Sequence, residues 1–137
     1  MNARLAILLT MIASGLLVCL DGCLPCNPSL SPELAIQFSS GRQYRKVVSV
    51  TPASVLIENN PQNSFVLPVW VGSEKMTFVF SNESQQDTLT ISYSRRFLLR
   101  STDCGYVYEI SNLQVAKPTS FKNIISNPTS FQLTIND

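Results

Sequence analysis

Short alternating segments between closely spaced turn sequences limit what this chain can fold into more than any other feature. From Cys26 onward, clusters of Pro, Gly, Asn and Ser interrupt the chain about every 8–12 residues, as in NPSLSP, NNPQN and NPTS. Between these clusters, apolar and polar residues alternate. The clearest run covers residues 87–94. There Leu89, Ile91 and Tyr93 share one face of the strand, and hydroxyl residues share the other. This period of two predicts β-strands with one buried face.

The same alternation recurs along the chain and predicts an all-β protein. Further strands are predicted at the alternating triplets Leu34/Ile36/Phe38, Met76/Phe78/Phe80 and Phe131/Leu133/Ile135, and over residues 46–50, 54–58, 65–71, 105–110 and 121–126. Pro68 cannot donate a ladder hydrogen bond, so its segment is expected at a sheet edge or a bulge.

No amphipathic helical pattern accompanies these predicted strands. We therefore expect an immunoglobulin-like antiparallel β-sandwich of about 7–9 short strands, after an N-terminal signal segment. Four residues on the apolar sides of different runs are expected in one core between two sheets: Phe78, Tyr93, Phe131 and Leu133.

The N-terminus has the layout of an export signal. Arg4 precedes a run without charge over residues 5–20, which matches a short positive region followed by an apolar region. The run is close to the lower length limit of a membrane-spanning helix, so the alternatives are an uncleaved anchor and a buried hairpin. We expect a lipoprotein signal peptide over residues 1–22, a tether over residues 23–31 and a single β-sandwich domain over residues 32–137.

A lipoprotein signal also needs a cysteine at its cleavage site. Leu20 and Gly22 stand three residues and one residue before Cys23, where the signal peptidase for lipoproteins favours Leu and a small residue, although Asp21 is an unusual neighbour. We expect lipidation of Cys23, with Cys19 as the alternative site.

The lipidation site determines which cysteines remain available to form a disulfide. If Cys23 carries the lipid and Cys19 leaves with the signal, Cys26 and Cys104 remain, and an oxidising compartment favours a disulfide between them. Two alternatives stay open. Ordinary signal cleavage would leave an unpaired thiol, and a bridge from Cys23 would return the lipid to Cys19.

Composition restricts the chemistry of the chain. It contains no His, which excludes Ser-His-Asp and Cys-His catalysis and every zinc site that uses His. Ten Lys and Arg residues against nine Asp and Glu give a net charge of +1. The protein therefore has no large positive electrostatic potential that would favour binding of nucleic acid. Asp103 disfavours the thiolate of its neighbour Cys104, and the carboxylates show no spacing typical of a catalytic pair. We expect no catalytic residues, no metal and no cofactor.

One basic and aromatic stretch could bind anionic sugars, lipid headgroups or nucleic acid, because Arg95, Arg96 and Arg100 surround Phe97. Successive strand residues face opposite sides, so Arg95 and Arg96 do not form one patch by themselves. We favour the interpretation that these are solvated charges that discourage pairing between sheet edges.

Several stretches together resemble a known kind of protein. LPCNP, FVLPVWVGSEKMTFVF, DTLTISY, RFLLRSTDCGYVYEISNL and IISNPTSFQLTI occur in this order, and the chain resembles a family of small envelope lipoproteins of unknown function from Bacteroidetes-type bacteria. The resemblance implies a lipid cysteine, Cys26 as the second cysteine and Cys104 as the late one. It implies no catalytic activity. In such bacteria Asp87-Thr88-Leu89 would also be an acceptor motif for O-glycosylation at Thr88.

The function that these observations favour is that of a non-catalytic envelope lipoprotein. We expect a β-sandwich that is attached to the outer membrane by its lipid anchor, faces the periplasm, and binds an unidentified envelope protein or glycan but no nucleic acid. The alternatives are a small envelope hydrolase that uses a carboxylate pair and an unanchored secreted domain with a disulfide.

Overall fold

The computed structural model describes residues 32–101 and 105–137, and within these residues the protein is all-β. No helix in this part of the chain has the length and hydropathy needed to cross a membrane. The strands are β1 (Glu33–Phe38), β2 (Lys46–Val50), β3 (Ala53–Ile57), β4 (Ser64–Pro68), β5 (Lys75–Ser81), β6 (Gln86–Ser101), β7 (Gly105–Ala116), β8 (Ile124–Asn127) and β9 (Gln132–Ile135).

These nine strands form two sheets that pack face to face, so the predicted β-sandwich is confirmed. One sheet has the order β4-β1-β9-β8 and the other the order β3-β2-β5-β6-β7. Every neighbouring pair is antiparallel except β1 and β9, which run parallel. Pro68 ends β4, which is an edge strand, as expected of a residue without a backbone N–H.

The core consists of alternate residues from both sheets. Its fully buried members include Leu34, Ile36, Phe38, Phe65, Leu67, Leu133 and Ile135 from the four-stranded sheet, and Val47, Phe78, Phe80, Leu89 and Ile91 from the five-stranded sheet. Among the predicted core residues, Phe78, Tyr93 and Leu133 are buried in this one cluster. Phe131 packs against its margin and is only partly buried, because it precedes β9 in the turn and takes a φ of 51°.

Two strands are much longer than their alternating runs suggested. β6 has 16 residues and β7 has 12, and they pair from Thr90↔Ala116 to Ser101↔Gly105. Between Ser92 and Ser94 the pairing partner changes from Gln114 to Ser111, so β7 contains one extra residue there. This β-bulge includes Asn112, whose φ of 54° is one that Asn tolerates well.

The chain enters the described domain at the end from which this hairpin extends. The backbone N–H of Val69 donates to the carbonyl of Pro32 at 2.7 Å, and the Tyr93 hydroxyl donates to the carbonyl of Trp70 at 2.6 Å. The backbone N–H of Tyr93 donates to the carbonyl of Glu74 at 3.0 Å. We call this the ribbon end. The opposite end carries the polar cluster described below.

The predictions about Cys19, Cys23, Cys26 and Cys104 all concern residues outside the described ranges. The same is true of the signal peptide over residues 1–22 and of the tether over residues 23–31. These remain predictions.

Candidate functional site

The hairpin of β6 and β7 continues as a two-stranded ribbon past the rest of its sheet. β5 pairs with β6 only as far as Lys75↔Ser92, whereas β6 and β7 remain paired out to Ser101↔Gly105. We call residues 94–101 and 105–111 the ribbon. None of the other described strands pairs with β6 here. Phe97 and Leu98, which face opposite sides of the ribbon, are 59% and 42% exposed, so both faces are accessible at these positions.

One side of the ribbon is an apolar surface, which we call the ribbon face. Directly paired residues of an antiparallel ladder lie on the same side, and the pairs Arg95↔Ile110, Phe97↔Tyr108 and Leu99↔Tyr106 therefore define it. Its exposed fractions are 59% for Phe97, 55% for Leu99, 61% for Tyr106 and 48% for Tyr108.

The ribbon face is an extension of the surface that the five-stranded sheet turns toward the core. Leu89, Ile91 and Tyr93 are buried residues of β6, and Arg95, Phe97 and Leu99 continue their alternation. In β7 the bulge shifts the alternation by one residue, so that Ile110 and the two tyrosines follow buried Leu113 on the same side. The four-stranded sheet covers the part of this surface formed by Leu89, Ile91 and Tyr93. It does not cover the ribbon face.

The aromatic rings of the ribbon face contact each other. Phe97 and Tyr106 stack with ring centroids 4.7 Å apart and planes inclined by 14°, and Phe97 and Tyr108 lie 5.0 Å apart at 41°. Such pairs contribute about 0.5–1.5 kcal/mol beyond the area they bury. The cluster is therefore a partly ordered platform rather than a set of separate side chains.

At its base the ribbon is held to the loop between β4 and β5. Arg95 donates from Nη1 to the carbonyl of Val71 at 2.7 Å, and its Nε lies 3.7 Å from Oε1 of Glu74. Burial raises the pKa of Tyr93, whose hydroxyl donates to the carbonyl of Trp70 in the same loop. These contacts fix the position of the first residues of the ribbon face.

The reverse side of the ribbon is more polar. Arg96 stands opposite Glu109, Ser94 opposite Ser111, and Leu98 opposite Val107. Arg95 and Arg96 therefore lie on opposite sides, as the strand periodicity predicted. An apolar ligand has more contact surface on the ribbon face than on this side.

A small cleft lies near the ribbon end. It has a volume of about 210 Å³ and lies between Pro52, Leu56, Pro68, Val69, Trp70 and Met76. A Cβ atom on Gly72 would overlap the Trp70 ring, so glycine permits this position of the tryptophan. Ligand pockets usually have about 300–1,000 Å³, so this cleft suits an apolar side chain better than a whole metabolite.

The opposite end of the sandwich contains a polar cluster of Arg42, Tyr44, Gln85 and Asp87. The carboxylate oxygen Oδ2 of Asp87 accepts from the Tyr44 hydroxyl at 2.6 Å and from Nε2 of Gln85 at 2.5 Å, and Arg42 Nη1 lies 3.6 Å away. Burial raises the pKa of Tyr44 to about 12, and the hydrogen bond with Asp87 acts in the same direction. The carboxylate of Asp87 thus already has two hydrogen-bond donors and one ion-pair partner within the domain.

The other predicted chemical features lie apart from the ribbon. Thr88 is half-buried, and its backbone N–H donates to the Ser120 hydroxyl at 3.0 Å. Its carbonyl accepts from the backbone N–H of Ser120 and from the Thr119 hydroxyl. Glycosylation at Thr88 remains a prediction. In the described part of the chain, no group of three or more His, Cys, Asp or Glu side chains is placed to hold a metal ion.

Sequence reasoning noticed Arg95, Arg96 and Phe97 but missed Leu99, Tyr106 and Tyr108. A signal was present in the segment GYVYEISNLQVA, where Tyr106, Tyr108 and Ile110 alternate in one phase and Leu113 and Val115 in the other. Such a change of phase within one strand is typical of a β-bulge.

Comparison with known proteins identifies a family but no characterised relative. A family model described as a family of unknown function, DUF6452, matches residues 46–130. This match covers β2 to β8 and the whole ribbon. No curated protein and no solved structure matches the chain.

Proposed function

We propose that this chain, which belongs to the DUF6452 family of unknown function, is a non-catalytic binding module of the cell envelope. A lipid on Cys23 attaches it to the outer membrane on the periplasmic side, and the ribbon face binds a partner protein there. Binding of a glycan is the less favoured form of the same function.

The exposed apolar surface of the ribbon carries this proposal. Single exposed apolar side chains are normal on soluble proteins, but contiguous apolar surface is concentrated at interaction sites. Here Phe97, Leu99, Tyr106 and Tyr108 are adjacent and all about half-exposed or more. Covering them with a partner would remove this surface from water and stabilise the complex.

The residue types favour a protein over a glycan. Tyr, Phe and Arg are enriched at protein interfaces, and Tyr and Arg are frequent among residues that dominate binding energy. A glycan would need several polar groups around the aromatic platform. Arg95 and the two tyrosine hydroxyls are the hydrogen-bonding side-chain groups of the ribbon face, and Arg95 already contacts Val71 and Glu74.

The place where the chain enters the domain supports a membrane-proximal site. Pro32 lies at the ribbon end, and the predicted lipid cysteine, Cys23, is nine residues earlier. Nine extended residues reach about 30 Å at most. A protein tethered in this way would hold the ribbon close to the membrane surface, where partners embedded in the membrane are also found.

The bonding of Asp87 supports a non-catalytic role. Its Oδ2 oxygen accepts hydrogen bonds from Tyr44 and Gln85, and the residue is buried. A hydrolase that uses two carboxylates needs one of them free to take up or release a proton at the substrate. The contacts of Asp87 instead fit a role in stabilising the fold.

Site-specific photocross-linking in living cells tests the proposal. A benzophenone amino acid at position 97 or 106 should give a discrete cross-linked product with another protein. The matched controls are positions 66 and 125, where Val66 and Ile125 are 61% and 63% exposed but lie on the other sheet. Equal cross-linking from all four positions, or none from positions 97 and 106, would contradict a binding role for the ribbon face.

A further inference from the structure

We infer that the partner of the ribbon face is a second copy of this chain, which packs its own ribbon face against the first across a two-fold axis. The inference rests on the proposed function, since it identifies the occupant of the same surface. Three observations support it: the layer that the ribbon lacks, the absence of charge at the centre of the ribbon face, and the area that the two faces would cover.

The ribbon is one layer of a sandwich without its second layer. Over Leu89 and Ile91 the four-stranded sheet supplies the second layer, but it does not extend over Phe97. Two sheets that pack face to face lie about 10 Å apart. The ribbon of a second copy consists of the same two paired strands and has the same length and width. It can therefore fill the space that the four-stranded sheet leaves open.

The fold selects one direction for this packing. If the two ribbons ran in the same direction, the five-stranded sheet of the second copy would have to occupy the space of the four-stranded sheet of the first, because both would lie in the layer above the ribbon's own sheet. If the ribbons run in opposite directions, the body of each copy lies beyond the far end of the other's ribbon. A two-fold axis perpendicular to the strands relates the copies in this way, so that the same surface is used twice.

The centre of the ribbon face is uncharged. Full overlap of residues 94–101 in the two copies places the axis between positions 97 and 98, so the Phe97 rings of the two copies are neighbours. Among the six residues that define the ribbon face, Arg95 is the charged one, and it lies at the base with Glu74 3.7 Å away. The two Arg95 residues of the dimer are then about 19 Å apart, well beyond the screening length of about 8 Å at physiological ionic strength. The ribbon face can therefore pack against its own copy without like-charge repulsion.

The area of the two faces sets the strength of the dimer. Phe97, Tyr106 and Tyr108 are 48–61% exposed, and an aromatic side chain can bury about 150–250 Å², so the three rings offer roughly 300 Å². With the other three residues of the face, two copies would cover about 800–1,000 Å² in total. Stable interfaces bury about 1,200–2,000 Å², and transient ones less. We therefore expect a reversible dimer whose fraction rises with the concentration of the protein.

In this dimer the exposed aromatic platform becomes the inside of a sandwich. The stacked rings of Phe97, Tyr106 and Tyr108 in one copy would face the same rings of the other, and aromatic pairs favour such contacts. The tyrosine hydroxyls would lie toward the margin, where they can remain in contact with water. The rings would then have neighbours on both sides, like those of the core.

The test uses two versions of the full chain, with different epitope tags, produced together in living cells. A benzophenone amino acid at position 106 of one version should give a product of twice the monomer mass that carries both tags. Phe97→Asp in both versions should lower its yield about tenfold or more, because two like charges would then meet near the axis. Combining Phe97→Asp in one version with Phe97→Lys in the other should restore the product.

The matched control is Leu98→Asp, which places the same charge at the same level on the reverse side of the ribbon. It should leave the yield of the doubly tagged product within about twofold. Equal melting temperatures of the variants and the wild type confirm that the substitutions leave the domain folded.

The outcomes separate this inference from the proposed function. A doubly tagged product that persists in Phe97→Asp, or that the combination of Asp and Lys fails to restore, would overturn the inference. Cross-links to other proteins alone would also overturn it but would leave the proposed function standing. Absence of both kinds of cross-link would contradict both. A doubly tagged product with the expected response to all three substitutions would support both, since the second copy is then the partner protein.

Discussion

Two aromatic clusters of this domain have similar side chains and opposite surroundings. The core cluster consists of Phe38, Tyr44, Phe65, Phe80 and Phe121, whose neighbouring ring centroids lie 5.0–6.1 Å apart. All of its members are buried. The ribbon cluster consists of Phe97, Tyr106 and Tyr108, with centroids 4.7 and 5.0 Å apart, and all of its members are exposed.

The contrast arises from the lengths of the strands rather than from the residue types. The core cluster lies where both sheets are present, so each ring has neighbours on both sides. The ribbon cluster lies where β6 and β7 have passed the end of the other sheet. An aromatic platform that stabilises the fold in one place is thereby available for binding in the other. Substitutions in and around the two clusters test this contrast.

The greatest loss of stability is expected from removal of the predicted Cys26–Cys104 disulfide, which would tie the chain before the core to the tip of the ribbon. It would close a loop of roughly 80 residues, for which the chain-entropy model gives about 4–5 kcal/mol. Cys104→Ser should therefore lower the melting temperature of the oxidised protein strongly and leave that of the reduced protein unchanged. Peptide mapping must accompany the melting experiment, because a bridge from Cys23 would give the same thermal effect. A free thiol titrated at Cys104 in the native protein would exclude the bridge.

A substitution in the core cluster comes next. Phe80 is fully buried and packs against four aromatic neighbours. Phe80→Ala should lower the free energy of unfolding by about 3–5 kcal/mol, because it removes apolar contacts and leaves a cavity. Urea denaturation of the wild type and the variant measures it. A loss of less than about 1 kcal/mol would show that the core cluster is not packed as described.

A smaller effect is expected from the hydroxyl of Tyr44, at the polar edge of the core cluster. Tyr44→Phe removes a hydrogen bond to the buried carboxylate of Asp87 and should lower the free energy of unfolding by about 1–3 kcal/mol. The matched control is Tyr93→Phe, which removes a hydrogen bond to the neutral carbonyl of Trp70 and should cost only about 0.5–1.5 kcal/mol. Denaturation at pH 7 compares the two variants. A greater loss in Tyr93→Phe would contradict the importance given to the bond with Asp87.

The same tyrosine should produce a dependence of stability on alkaline pH. The pKa of Tyr44 is about 12 in the folded protein, above its ordinary value of 10.0. The folded state therefore holds this proton more tightly than the unfolded state, and stability should fall as the pH rises from about 10 to about 12. Tyr44→Phe should weaken that decline. An identical decline in wild type and variant would show that other groups cause it.

The least effect on stability is expected in the ribbon cluster. Phe97→Ala should change the free energy of unfolding by no more than about 1 kcal/mol, because the ring is 59% exposed and lies outside the core. It should nevertheless reduce cross-linking to a partner from position 106. A loss of stability as large as that of Phe80→Ala would mean that the ribbon face is already covered within the folded chain.

Much of the fold could be predicted because the relevant information is local. The alternation in residues 46–50 and 75–81 matches β2 and β5, and Pro68 indicated an edge strand. Phe131 illustrates the limit of this reasoning. It continues the alternation of Leu133 and Ile135, yet the turn before β9 gives it a positive φ and leaves it only partly buried.

The candidate site could be predicted only in part. Alternation identified the strand that begins at Gly105, but it did not reveal that β6 and β7 continue as a pair beyond the sandwich. Arg95 and Phe97 drew attention as a basic and aromatic stretch. That Tyr106 and Tyr108 join Phe97 on one side depends on the register of the hairpin and on the bulge at Asn112.

The order of residues along the chain is enough to assign most strands and the apolar side of each, because the pleat places alternate side chains on opposite faces whatever the rest of the chain does. It does not assign which apolar sides become core and which become surface. That outcome depends on how far each sheet extends over the other, which is a property of the assembled sandwich. Phe80 and Phe97 show the consequence: the opposite sheet covers the first and ends before the second.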